Sequence, residues 1–217
     1  MHREASYFLR HGKTEWNGQF RYQGKTDVPL NDEGRMQADR TALRLNSLKV
    51  DVIYASVLSR AIETAERVSR HLGAPLGGLL EELVEMDFGN WEGMQVAEVE
   101  NAYKEVYAQW RKFPEKIKIP GGESFVEVVE RVNRGMKKIL DDGGENVLVV
   151  AHGGSIRAAL TGFFAMDASA AWRTRIDNCS LTSLELWRDR VMLSFTNDTL
   201  HLLVEDPDLV RNLPVLI

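Results

Sequence analysis

Two short apolar runs end in the same way, and nothing else in the chain constrains its fold so tightly. Tyr7-Phe8-Leu9 stops at Arg10-His11-Gly12, and Val147-Leu148-Val149-Val150-Ala151 stops at His152-Gly153-Gly154. A short apolar run that stops this abruptly reads as a buried strand. In open α/β sheets, ligands sit beyond the carboxyl ends of such strands. The two runs therefore deliver two imidazoles, each followed by glycine, to one edge of a sheet. A third run, Val52-Ile53-Tyr54, leads into a helix that starts near Ser56 and carries Arg60 in its first turns. Two imidazoles converging with the guanidiniums of Arg10 and Arg60 make a site for a phosphate. Arginine suits this because its planar donors meet phosphate bidentately and stay charged.

The remaining periodicities fill in an α/β chain. Residues 10–30 read as a long loop, a length that is often functional. Asn31 is placed to cap a helix whose inward stripe is Ala38, Ala42, Leu45 and Leu48. The helix after Val52-Ile53-Tyr54 buries Leu58, Ala61, Ile62, Ala65 and Val68, and Gly73 and Pro75 end it. Residues 76–122 break the alternation and read as an inserted cap. Its helical stretch near Val96 to Lys112 puts Tyr103, Val106, Tyr107 and Trp110 on one stripe. Ser124-Phe125-Val126-Glu127 matches a capping box, followed by an apolar face of Val128, Val129, Val132, Met136, Ile139 and Leu140. A helix runs from about Ser155 to Phe164. Leu181 to Trp187 and Val191 to Phe195 form a hairpin turning at Arg188-Asp189-Arg190. The expected fold is one α/β domain over 1–217. It is a three-layer α/β/α sandwich with a mostly parallel central sheet, a terminal antiparallel hairpin and the inserted helical cap.

Four separated blocks occur in a fixed order: Arg10-His11-Gly12; Arg60-Ala61; Glu85 with Phe88-Gly89-Asn90-Trp91-Glu92-Gly93; and Ala151-His152-Gly153-Gly154. Together they resemble the histidine phosphatase superfamily, in the branch shared by phosphoglycerate mutases and small phosphatases. The resemblance runs over roughly residues 5 to 200. It implies phosphoryl transfer with His11 as nucleophile. A neutral imidazole attacks phosphorus at pH 7 without first losing a proton, provided its other nitrogen is held as N–H by an acceptor. Arg10, Arg60 and His152 bind the phosphoryl oxygens, Gly153 lets a backbone N–H approach, and Asn17 closes the family's Arg-His-Gly block as a further donor. Glu85 is the expected proton donor, since a phosphate dianion beside a carboxyl favours its protonated form. The carboxylate left behind then activates water. Val57 and Glu63 depart from residues common in the family, and Glu63 would weaken the phosphate field slightly.

A mutase shares this machinery but must also hold a second acidic group. In mutases a basic pair follows the acid, and a proline-rich insertion follows the pair. Arg111-Lys112 stands at about the right distance, but only Phe113 to Ile119 separates it from Pro120, so the long insertion is absent. That favours hydrolysis, with Arg111 and Lys112 reading an anionic substrate tail. The expectation is therefore a metal-independent phosphomonoesterase acting through phosphohistidine. Its substrate would be a small metabolite such as α-ribazole phosphate, phosphoserine or a sugar phosphate. A cofactor-dependent mutase and a weak phospho-ligand binder are the alternatives.

Composition enters mainly by exclusion. A net charge of −5 disfavours nonspecific nucleic-acid binding. Cys179 is the only cysteine, which removes intrachain disulfides and cysteine-rich zinc sites. No apolar run approaches a membrane span, and Met1 to Ser6 lack a signal-peptide apolar core, so the expected compartment is a reduced cytoplasm. Gly12-Lys13-Thr14 and Gly24-Lys25-Thr26 lack the earlier glycine of a phosphate-binding P-loop. The expected partner is a small phosphomonoester, with no cofactor, metal, nucleic acid or membrane; a homodimer is left open.

Overall fold

The computed structural model describes residues 4–187 and 190–213. Strands β1 (Glu4–Arg10), β2 (Val52–Ser56), β3 (Leu76–Leu80), β4 (Asn146–Ala151), β5 (Leu181–Trp187) and β6 (Arg190–Asp198) form one sheet. Their order is β3-β2-β4-β1-β5-β6. Pairs β3-β2, β2-β4 and β4-β1 are parallel; β1-β5 and the β5-β6 hairpin are antiparallel. Every residue of β4 is buried, as a parallel strand covered on both faces requires.

Side chains alternate across the strands into two cores. Tyr7, Leu9, Leu148 and Val150 meet Ala42, Leu45, Ala61 and Val68, which come from α2 (Asp32–Leu45) and α3 (Ser59–Leu72). Phe8, Val147 and Val149 meet Val132, Met136, Ile156 and Leu160 on the other face, from α6 (Phe125–Asp142) and α7 (Gly153–Phe164). The result is a three-layer sandwich. The helices following β1 and β4 pack on opposite faces although the two strands are neighbours. The crevice at their carboxyl ends is therefore the topological switch point where ligands bind in such sheets.

Several boundaries differ from the sequence reading. Leu76–Leu80, assigned above to the cap, form β3 at the sheet edge. The run contains Gly77 and Gly78, which weaken any strand signal. A Cβ on Gly77 would fall 2.6 Å from Val52 and Tyr54 atoms, so the glycine admits the neighbouring strand's side chains. The loop over 10–30 holds a short helix, α1 (Glu15–Gly18), capped by Thr14. The stretch from Val96 to Lys112 is two helices, α4 (Val96–Ala102) and α5 (Lys104–Lys112), parted at Tyr103. That break lets Tyr103, Tyr107 and Trp110 all pack on Trp91, at ring separations of 6.1, 5.7 and 5.4 Å. Leu140, read as core, is 40 % exposed, and Ile62 is half-buried. Arg188-Asp189 of the hairpin turn lies outside the described residues. After α8 (Ala168–Trp172) and the hairpin, α9 (Leu200–Leu203) and α10 (Pro207–Arg211) pack beside α2, burying His201 and Val210.

Candidate active site

The strand register brings the two histidines together. Leu9 pairs with Val150 and Arg10 with Ala151, so His11 and His152 each stand one residue past the last pair. The His11 N–H still donates to the Ala151 carbonyl at 3.0 Å. Their ring centroids are 5.1 Å apart, tilted by 56°. His11 faces a cavity of about 150 Å³ whose walls include Arg10, Asn17, Arg60, Glu85 and Gly153. His152 stands directly behind, fully buried, outside the residues that line this cavity.

Hydrogen bonding sets the state of His11. Its Nδ1 lies 2.7 Å from the Gly12 carbonyl. A carbonyl only accepts, so Nδ1 carries the proton and Nε2 keeps a free lone pair. Burial, then the charges of Arg60 and Arg10, push the imidazole well below its ordinary value of 6.5. The ring is neutral at pH 7. Burial and Arg60 depress His152 in the same way, and its Nε2 bonds Ser56 Oγ at 2.8 Å.

Gly12 leaves no room for a side chain, since a Cβ there would lie 2.4 Å from the Gly34 carbonyl oxygen of α2. The Gly12 N–H donates to Thr64 Oγ1 at 3.1 Å, and that hydroxyl donates to the Arg60 carbonyl at 2.7 Å. One turn of α3 thus fixes both the nucleophile loop and Arg60. The Arg60 guanidinium is fully buried and donates to the carbonyls of Gly24 and Thr26, at 2.8 and 3.0 Å. Burial lowers it to about 10, still charged at neutral pH. Arg10 donates to the Ile176 carbonyl at 2.7 Å. The Nε atoms of both arginines and Nδ1 of His152 are buried without a hydrogen-bond partner, a costly arrangement unless a ligand completes it. Two of these nitrogens belong to arginines that line the cavity, which suits an oxyanion, whereas His152, expected to bind a phosphoryl oxygen, stands behind them.

Glu85 sits across the cavity, accepting the Gly154 N–H at 2.9 Å and the Met86 N–H at 2.8 Å. A Cβ on Gly154 would come 2.3 Å from Glu85 Oε1, so only glycine admits the carboxylate there. Asn17 Oδ1 accepts from the Thr14 N–H and from Asn178 Nδ2, both at 3.1 Å. That leaves its amide N–H as the group available to the cavity. Arg111 and Lys112 lie farther out. Arg111 lines a second groove that shares Tyr22 and Trp172 with the cavity, whereas Lys112 lines neither. Glu63 is engaged by Arg35 at 2.7 Å and Arg67 at 3.4 Å and does not line the cavity.

Three contributors escaped the sequence reading. Arg157 lines the cavity, lowered to about 10 by burial. It stands four residues after Gly153, on the same helix face, so helical spacing could have found it. Asn178 Nδ2 also donates to the His11 carbonyl at 3.1 Å. Arg131 of α6 donates to the carbonyls of Glu82, Val84 and Glu85 at 2.7 to 3.0 Å and pairs with Glu123 at 2.9 Å, clamping the segment that carries the acid. No local signal marks Asn178 or Arg131, because their partners are distant in sequence. Among the described residues no group of three or more His, Cys, Asp or Glu is placed to hold a metal ion, and no helix is long and apolar enough to cross a membrane.

Comparisons with known proteins show what the chain is similar to in sequence and fold. A family model described as the histidine phosphatase superfamily (branch 1) matches residues 6–199. Phosphoserine phosphatase 1 of Hydrogenobacter thermophilus is 33% identical over 196 residues, covering 89% of this chain and 92% of its own. Among solved structures, YhfR of Bacillus stearothermophilus superposes with a TM-score of 0.83 at 30% identity, covering 91% of this chain and 98% of its own. A mycobacterial glucosyl-3-phosphoglycerate phosphatase complexed with VO3 gives a TM-score of 0.83 at 27% identity, covering 90% and 100%.

Proposed function

The chain belongs to the histidine phosphatase superfamily, and from that membership we propose that it hydrolyses a small phosphomonoester through a phosphohistidine on His11, without a metal. The observation that carries this is the His11 tautomer: Nδ1–H held by the Gly12 carbonyl, Nε2 open beside Arg10 and Arg60. In the first step Nε2 attacks phosphorus and the bond from phosphorus to the ester oxygen breaks. The proton of the Glu85 carboxyl goes to the departing alkoxide, so a neutral alcohol leaves. Arg10, Arg60 and the Gly153 N–H at the start of α7 hold the phosphoryl oxygens, where charge develops. In the second step water attacks the phosphohistidine. Glu85 takes the water proton, phosphate leaves and the imidazole is restored. Residues 81–122, which carry Glu85 and Phe88 to the cavity and bury Trp91 behind them, act as the cap that selects the substrate.

His11→Ala is expected to abolish turnover, and wild-type protein quenched in mid-reaction should carry an acid-labile phosphoryl group on His11. Chelators should leave the rate unchanged. Absence of any trapped phosphoenzyme, or strong chelator inhibition, removes this mechanism. Incubation with 3-phosphoglycerate and trace bisphosphoglycerate should release phosphate; isomerisation without release means a mutase instead.

A further inference from the structure

The cavity opens into a groove of about 380 Å³ whose chemistry the phosphate does not use. Tyr22 and Trp172 belong to both, so the groove is a direct continuation of the phosphate site. Its walls are aromatic: Tyr22, Tyr107, Trp110 and Trp172. Trp110 and Trp172 pack edge to face at 4.8 Å, Tyr107 stacks on Trp110 at 6.1 Å, and the hydroxyls of Tyr22 and Tyr107 are 3.3 Å apart. Rings locked against one another this way present a rigid slot rather than an adaptable surface.

Beyond Val96 and Ser169, the rest of the groove is cationic. Arg111 and Arg173 line it, both exposed. Among the described residues no carboxylate lines it, and neither arginine has a carboxylate within ion-pair distance; Glu100 and Asp167 act on them only from farther away. Arg157 lies over the Trp172 ring, 5.0 Å from its centroid, on the cavity side. Positive charge therefore continues outward from the phosphate site along an aromatic slot.

We propose that this groove seats the alcohol part of the substrate, and that this part is a flat ring bearing an anionic substituent. The inference rests on the phosphomonoesterase reading. A ring lies between Tyr22 and Trp172, against the edge-to-face pair that Trp172 makes with the buried Trp110, where face and edge contacts are favourable. A carboxylate or second phosphate on its far side reaches Arg111 and Arg173. A compact zwitterionic alcohol, as in phosphoserine, leaves the slot unfilled, and the ammonium group beside its carboxylate offsets that carboxylate's attraction to the arginines.

Three alkyl esters with leaving groups of similar reactivity separate the contributions: 4-carboxybenzyl phosphate, benzyl phosphate and phosphoserine. The expected order of kcat/KM is carboxybenzyl above benzyl above phosphoserine, by about tenfold at each step, the factor that a single good contact confers. Trp172→Leu should lower the benzyl-to-phosphoserine ratio about tenfold. Arg173→Gln should lower the carboxybenzyl-to-benzyl ratio, and raised salt should do the same to the wild type. Ratios within one variant are insensitive to how much of it folds. Equal kcat/KM for the three esters, or a Trp172→Leu variant that slows all three alike, overturns the proposal. Calorimetric binding of the uncleaved esters to His11→Ala keeps the two readings apart. The same affinity order without any wild-type hydrolysis would sink the phosphatase reading and leave the groove assignment standing; loss of that order would do the reverse.

Discussion

Gly12 positions the nucleophile as firmly as any hydrogen bond. Because a Cβ there meets backbone of α2 rather than a movable side chain, Gly12→Ala is expected to displace His11 and reduce kcat/KM on the order of a hundredfold, the usual consequence of an ångström-scale misplacement. The pH profile tests the electrostatics of the same residue. Neutral His11 is the active form, and its folded value lies well below 6.5. The acid limb of kcat/KM should therefore fall below that point, with activity retained through pH 6. Arg60→Gln removes one of the charges holding the value down, so the acid limb should move up towards 6.5 as the rate falls. An unmoved limb would assign it to another group. Glu85→Gln should cost alkyl esters far more than activated aryl esters, whose leaving groups need no proton; equal losses would take the acid role from Glu85.

At the scale of elements, α6 does more than cover the sheet. Its start is a capping box, with Ser124 Oγ accepting the Glu127 N–H and the Glu127 carboxylate accepting the Ser124 N–H at 2.8 Å. One turn later it presents Arg131 to the acid-bearing segment. Arg131→Met removes the near cation of Glu123, which keeps the Asp87 N–H and Lys25 at 3.8 Å, and strips three carbonyls of their donor in a mostly buried place. It should cost about 3–5 kcal/mol in denaturant unfolding. As a positioning residue, its loss should also slow alkyl esters more than aryl ones, a split that a purely structural role would not produce. The helix was legible in the sequence from its cap and apolar stripe; the clamp was not, because Arg131 and Val84 lie 47 residues apart and nothing local links them. β3 escaped for a different reason: its glycines serve its neighbours' side chains rather than its own propensity.

For the whole molecule, burial of uncharged histidines ties stability to acidity. His201 is buried between α9 and α2, its Nε2 3.0 Å from Thr41 Oγ1, and burial lowers it to about 4. His11 and His152 are depressed as well. In each case the unfolded chain binds the proton more readily, so stability is full above pH 6.5 and falls as pH drops towards the folded value. Between pH 6.5 and 4 His201 alone should contribute a loss of about 3 kcal/mol, and His201→Gln should flatten that part of a denaturation-against-pH curve. An unchanged slope would show that His201 is not the group responsible. The apolar runs, the glycines after each histidine and the order of the four motif blocks determined, from sequence alone, the fold class, the family and six of the residues that line the cavity: Arg10, His11, Asn17, Arg60, Glu85 and Gly153. These are local or additive signals. Only the tertiary structure decided that β1 and β4 are neighbours in the register that sets the two imidazoles 5.1 Å apart. It alone set Asn178 on the His11 carbonyl and Arg131 on the segment that carries Glu85, and placed Arg111 on the groove while Lys112 lines another depression. Register and packing depend on which distant surfaces fit each other, and no stretch of residues carries that information by itself.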